Sequence, residues 1–320
     1  MIYLSLIGGL ILLIVSGEFL VRSAVGVANR LGLPPLIIGL TIISLGTSAP
    51  EFTVSMKAMS EGSSDLVLGG VIGSNIANIL LVLGVAALIQ PIASRKSIIK
   101  RDGLFLVGIS SFLAGLSMIG GLTAVFGAMF IAIYAAYVFY CFISEKATAE
   151  DDEQKEMAKQ FSSIWLAVFV LAVSLFGVIK GADLLVTAAI ELARIFGISE
   201  AIIGLSVVAF GTSLPELAIS VIAAFKREPG VALGNVVGSN ISNILIILGA
   251  SSFVGPLPFS GQLAQFDIWV MLLATIVLVP VLASGQKLSR LEAGAFLFCY
   301  VAYIAAIYLD GPKMILGFLS

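Results

Sequence analysis

A chain of 320 residues in which 59% are hydrophobic and 11% charged is too apolar for a soluble domain, where about a quarter of residues carry charge. A formal charge of −2 offers no basic surface for nucleic acid. With no histidine and two cysteines there is neither a soft-metal ligand set nor a disulfide framework.

In chain order, ten segments are apolar and long enough to cross a bilayer as helices: 2–30, 35–58, 66–91, 102–120, 121–144, 161–195, 200–224, 231–255, 265–284 and 288–308. The start at Met1 carries neither a basic leader nor an A-x-A site, so the first segment is expected to be a spanning helix. Barrel strands would show short alternating runs, and none is present. Cys141 and Cys299 stand singly in apolar runs and read as packing residues. The strongly polar stretch 145–160, with Asp151, Asp152, Glu153 and Lys155, separates a first repeat (1–144) from a second (161–320). Five spans per half is an odd number, so the second half enters from the opposite side. The expected fold is an all-α polytopic protein of ten transmembrane helices in two inverted five-helix repeats, with broken helices at the ion site. Twelve Lys and Arg side chains, among them Arg95, Lys96, Lys100 and Arg101, fall on the side of the first loop, against Lys57, Arg194 and Lys313 opposite. That bias places the linker in the cytoplasm and both termini outside.

The halves share more than hydropathy. Gly46-Thr47-Ser48-Ala49-Pro50-Glu51 matches Gly211-Thr212-Ser213-Leu214-Pro215-Glu216, and Gly73-Ser74-Asn75-Ile76-Ala77-Asn78 matches Gly238-Ser239-Asn240-Ile241-Ser242-Asn243. Glu51 to Glu216, Ser74 to Ser239 and Asn78 to Asn243 each span 165 positions, and the alignment runs without a gap from Glu18/Asp183 to Gly84/Gly249. Pro50 and Pro215 withhold an N–H from the carbonyls of Gly46 and Gly211 and must break their helices. Irregular backbone at membrane depth is tolerated only within protein or beside a cavity. Thr47, Ser48, Thr212 and Ser213 add hydroxyl oxygens at these breaks. A carboxylate at mid-membrane costs at least ~2.5–3.5 kcal/mol and marks an ion pathway. Glu51 and Glu216, facing each other, would repel unless a cation sat between them. Asn78 and Asn243 offer amide oxygens, with Ser74 and Ser239 one turn earlier on the same helix face. An all-oxygen set suits hard cations. Glu18 with Arg22, and Lys180 with Asp183, read as local ion pairs.

These paired motifs resemble the cation/calcium exchanger superfamily, in particular its prokaryotic sodium/calcium exchanger branch, and the similarity in span pattern covers essentially the whole chain. The resemblance implies Glu51 and Glu216 as Ca2+ ligands, aided by the carbonyls of Thr47 and Thr212. It implies Na+ positions at the hydroxyls of Thr47, Ser48, Thr212, Ser213, Ser74 and Ser239 with the carbonyls of Ser44 and Ala209, and Asn78 and Asn243 lining the middle. Some archaeal members carry Asp where this chain has Asn243. The implied activity is Na+/Ca2+ antiport in a prokaryotic inner membrane by a chain functional as a monomer, with no cofactor. H+/Ca2+ or K+-assisted exchange and a cation channel are the competing readings. An intramembrane enzyme is disfavoured, because HExxH, GxSxG and histidine are all absent.

Overall fold

The computed structural model describes residues 2–94, 99–144, 163–196 and 209–308. Twelve helical segments carry the fold: α1 (Ile2–Leu31), α2 (Pro35–Thr47), α3 (Ala49–Ser60), α4 (Ser64–Ile89), α5 (Ile99–Met118), α6 (Ala124–Ser144), α7 (Ile164–Ile195), α8 (Ala209–Thr212), α9 (Leu214–Phe225), α10 (Pro229–Val254), α11 (Leu263–Gln286) and α12 (Arg290–Tyr308). Among the described residues, eight are long and apolar enough to cross a membrane, or nine when the bent pair α2–α3 is taken as one span. The expected span 200–224 is described only from Ala209 onward, as α8 and α9, and the linker 145–160 lies outside the described residues. Where 102–120 was expected, α5 is described from Ile99, with a wide π turn over Ile99–Gly103, and stops at Met118. Gly120 and Gly121, with φ of +112° and +110°, then turn the chain into α6, a conformation glycine adopts without steric cost.

α10 and α4 form the centre. In its most apolar window α10 is 94% buried and α4 72%, against 11% for α12. The rim helices turn large apolar side chains outward, including Leu4, Phe139, Trp165, Phe169 and Phe298. A surface of that kind needs hydrocarbon around it, and the protein is a membrane protein. α1 and α7 lie against each other through small residues. A Cβ at Gly181 would come 2.7 Å from the Leu13 nitrogen and 3.0 Å from the Gly9 carbonyl oxygen, the backbone-to-backbone approach by which helices associate in lipid. Two short antiparallel pairings tie the loops together: β1 (Ile92–Ala93) with β2 (Lys287–Leu288), and a single bridge between Leu122 and Leu257.

The approach that positions the functional residues is α10 against α2. A Cβ at Gly234 would lie 2.5 Å from the Leu36 carbonyl oxygen, and one at Gly238 would lie 2.5 Å from that of Leu40 and 2.6 Å from Ser44 Oγ. These obstacles are mostly backbone and cannot swing aside. Gly238→Ala is therefore expected to cost about 1–3 kcal/mol of stability through overpacking, read as a lower melting temperature in detergent. Gly8→Ala, whose Cβ would meet nothing within 4 Å, should leave the melting temperature undiminished.

Candidate functional site

The two proline motifs break their helices in nearly the same way. Ser48 has φ −79° and ψ 5°, Ser213 has φ −87° and ψ 3°, and each precedes a half-helix with proline near its start. Between α2 and α3 the axis bends by 42°. Proline costs nothing in a first turn, since the missing N–H has no intrahelical partner there. Glu51 and Glu216 consequently fall in the first turns of α3 and α9, where free N–H groups and the positive end of the helix dipole favour a carboxylate. Both are deeply buried, at 7% and 1% exposure. The Glu216 carboxylate lies close enough to Glu51 for their charges to repel.

Across from each break stands a wide helical turn. Asn78–Val82 in α4 and Asn243–Ile247 in α10 are π turns, a geometry rare in helices and frequent at functional sites. Each opens at one of the asparagines named from sequence. Around Glu216 the hydroxyls gather: Ser48 Oγ and Ser239 Oγ each donate to Glu216 Oε1 at 3.4 Å. Thr47 Oγ1 lies 3.4 Å from Ser239 Oγ, and Ser242 Oγ donates to Ser48 Oγ at 3.5 Å. Residues from both halves of the sequence thus surround one carboxylate. Thr47, Ser48, Ser213, Ser239, Ser44 and Ser74 are all buried. Thr212 is partly buried as the last residue of α8, and Ala209 is the first described residue of that helix. The Ser44 carbonyl accepts the Ser48 amide at 3.0 Å and lies 3.2 Å from the Thr47 hydroxyl.

Five buried oxygens in this region have no hydrogen-bond partner among the described residues: Glu51 Oε2, Glu216 Oε2, Asn78 Oδ1, Asn243 Oδ1 and Ser213 Oγ. Each such atom costs about 1–3 kcal/mol. Two carboxylate and two amide oxygens, at matched positions of the halves, together make an acceptor-only set of formal charge −2. Hydrogen-bond donors are missing from it. A hard cation satisfies oxygens of this kind, and among the described residues no cluster of three His, Cys, Asp or Glu competes as a metal centre.

Several residues here escaped the reading of the motifs. Asn75 and Asn240, the inner asparagines, are buried and hydrogen-bond across the two halves: each side-chain nitrogen donates to the other's backbone carbonyl, at 3.3 Å from Asn75 and 3.1 Å from Asn240. Their place inside the repeated G-S-N-I-x-N was the available signal. Asn235 left no such signal, because 165 positions earlier stands Gly70. It accepts from Thr47 Oγ1 at 3.2 Å and donates to the Glu216 carbonyl and to Ser220 Oγ, both at 3.1 Å. Three further carboxylates are buried, Asp102 at 1%, Glu228 at 2% and Asp267 at 5% exposure. The two aspartates accept from protein donors, Asp102 from Arg101 at 2.7 and 2.9 Å and Tyr137 at 2.9 Å, Asp267 from Tyr303 at 3.1 Å, and unlike Glu51 and Glu216 neither has, among the described residues, a buried oxygen left without a partner. Glu18 pairs with Arg22 as expected, and also with Lys226 Nζ at 2.7 Å, which joins α1 to the end of α9. Lys180 and Asp183 form the exposed local pair.

The sodium/calcium exchanger protein family matches residues 1–143 and 166–309. The sodium/calcium exchanger MaX1 of Methanosarcina acetivorans is 31% identical over 96% of this chain and 98% of its own length. The inner membrane protein YrbG of Escherichia coli is 32% identical over 97% and 98%. A solved structure of the sodium-calcium exchanger NCX_Mj, soaked with 10 mM Na+ and zero Ca2+, aligns with a TM-score of 0.84 at 32% identity, covering 96% of this chain and 99% of that one. The chain belongs to the sodium/calcium exchanger family, whose named relatives are transporters rather than catalytic enzymes.

Replacing Asn235 by Leu strips partners from a buried hydroxyl and a buried carbonyl at once. The expected loss is about 1–3 kcal/mol, measured as a lower midpoint of thermal unfolding in detergent relative to the parent.

Proposed function

We propose that this chain is a secondary active antiporter that moves Ca2+ out of the cell against an inward flow of Na+. The observation that carries the reading is the set of buried, partnerless oxygens at matched positions of the two halves: Glu51 and Glu216 Oε2, Asn78 and Asn243 Oδ1. In this reading Glu51 and Glu216 hold Ca2+ with the carbonyls of Thr47 and Thr212. Na+ occupies positions built from the hydroxyls of Thr47, Ser48, Thr212, Ser213, Ser74 and Ser239 with the carbonyls of Ser44 and Ala209, and the Asn78 and Asn243 oxygens line the centre.

Charge decides why the loads alternate. One Ca2+ brings the two carboxylates to neutrality, whereas three Na+, the family stoichiometry, leave a single positive charge. Holding both loads would leave an excess that hydrocarbon does not tolerate. Each cycle then carries one net charge inward, and a potential of 100 mV adds ~2.3 kcal/mol toward Ca2+ extrusion. The architecture we assign is ten helices in two inverted repeats, 1–144 and 161–320, with the 145–160 linker in the cytoplasm of a prokaryotic cell and both termini outside. The long helices α1 and α7, packed on each other through glycine and flanking the buried core, are the pair we assign to slide between access states. The ions and the lipid bilayer are the partners, and one chain is sufficient for transport.

In proteoliposomes, Glu51→Gln and Glu216→Gln are each expected to abolish 45Ca2+ uptake, since one carboxylate cannot neutralise a divalent ion; undiminished flux in either variant would remove the assigned site. With the parent chain, an opposing Na+ gradient is expected to drive uptake, and K+ and pH gradients are not. Uptake that follows the pH gradient instead would make this a proton-coupled exchanger.

A further inference from the structure

The two ends of a side-chain amide have the same size, and only their hydrogen-bond partners distinguish oxygen from nitrogen. A backbone carbonyl can only accept. The carbonyl of Asn240 therefore takes the Asn75 nitrogen, at 3.3 Å. That turns Asn75 Oδ1 toward Asn243, which answers with its own nitrogen at 3.1 Å and is left with Oδ1 buried and partnerless. The same chain of choices runs in mirror order. The Asn75 carbonyl takes the Asn240 nitrogen at 3.1 Å, Asn240 Oδ1 takes the Asn78 nitrogen at 3.0 Å, and Asn78 Oδ1 is left over.

We propose that Asn75 and Asn240 are positioning residues that set which end of the Asn243 and Asn78 amides meets the transported cation, each acting on the asparagine of the opposite half. The inference rests on the cation site proposed above. Its direction originates in two backbone carbonyls, and a carbonyl cannot flip without unwinding its helix. Losing Asn75 frees the Asn243 amide to present its NH2 group, a donor, to a positive ion.

The consequence is a pattern of pairwise coupling that simple packing does not generate. Asn75→Leu and Asn240→Leu should each raise the KM for Ca2+ in proteoliposome uptake by about tenfold, within the range of close-contact couplings, while the maximal rate changes little. Asn75→Leu should add almost nothing in an Asn243→Ala background, and Asn240→Leu almost nothing with Asn78→Ala. The exchanged combinations, Asn75→Leu with Asn78→Ala and Asn240→Leu with Asn243→Ala, should multiply. Asn75→Ser, whose rotating hydroxyl either donates or accepts and so transmits no direction, should show the same shift and coupling, and it reads the cycle if the leucine variant fails to fold. Equal coupling in all four combinations, or an unchanged KM, overturns the inference. Glu51→Gln and Glu216→Gln run alongside. If they lose transport while the cycles are additive, only the positioning role falls; if they retain it, the cation site itself falls.

Discussion

Two carboxylates buried within one another's electrostatic reach, in a protein surrounded by hydrocarbon, are the constraint on which the rest of this structure depends. The membrane penalises each charge, and mutual repulsion penalises the pair. The fold offsets part of this by local means. Each glutamate stands in the first turn of a half-helix, and Glu216 gathers two serine hydroxyls, one from each half. In the proposed function the remainder falls to the transported cation. This is the physical difference between Glu51 and Glu216 on one hand and Asp102 and Asp267 on the other. The aspartates are answered by Arg101, Tyr137 and Tyr303 and act as pins between helices. The glutamates keep an oxygen each in reserve.

Holding such a pair in place requires rigid surroundings, and the helices that supply them are irregular in a controlled way. Proline fixes the start of α3 and α9, and serine at near-identical φ and ψ makes each break. π turns open at Asn78 and Asn243. Glycines at 234 and 238 bring α10 onto the backbone of α2, so that Asn235 and Ser239 reach Thr47. The π turns at Asn78 and Asn243 sit in the two most buried spans, where displaced backbone groups find protein partners rather than lipid. The rim helices α1, α6, α7 and α12 carry no comparable demand and are apolar and loosely covered.

The duplication gives the site near-symmetry without identity. Asn75 and Asn240 exchange matching hydrogen bonds, to which Asn75 adds one to Met271 Sδ at 3.8 Å, whereas Asn235 has Gly70 as its sequence counterpart, and Glu18 reaches Lys226 while Asp183 pairs, among the described residues, with nearby Lys180. A carrier that meets different ion concentrations on its two sides has no physical reason to keep its halves alike. The departures fall on residues that bridge elements and on Ser213, whose Oγ is partnerless where its counterpart Ser48 donates to Glu216, while the two carboxylate and two amide oxygens stay matched between the halves.

Composition, the 165-residue offset and two proline motifs by themselves determined that the chain lives in a bilayer and that it is duplicated, and they singled out Glu51, Glu216, Asn78 and Asn243 as candidates for one site. They do so because hydropathy, proline geometry and repetition are local properties, written in neighbouring residues. Tertiary structure alone decided which hydroxyls reach Glu216, that Asn75 and Asn240 bond each other across the halves, that Asn235 reaches Thr47, that Glu18 reaches Lys226, and that Asp102 accepts from Tyr137 as well as pairing with Arg101. Most of those contacts join residues far apart in the chain, and which amide end faces which neighbour depends on two backbone carbonyls that meet only once α4 and α10 have packed together.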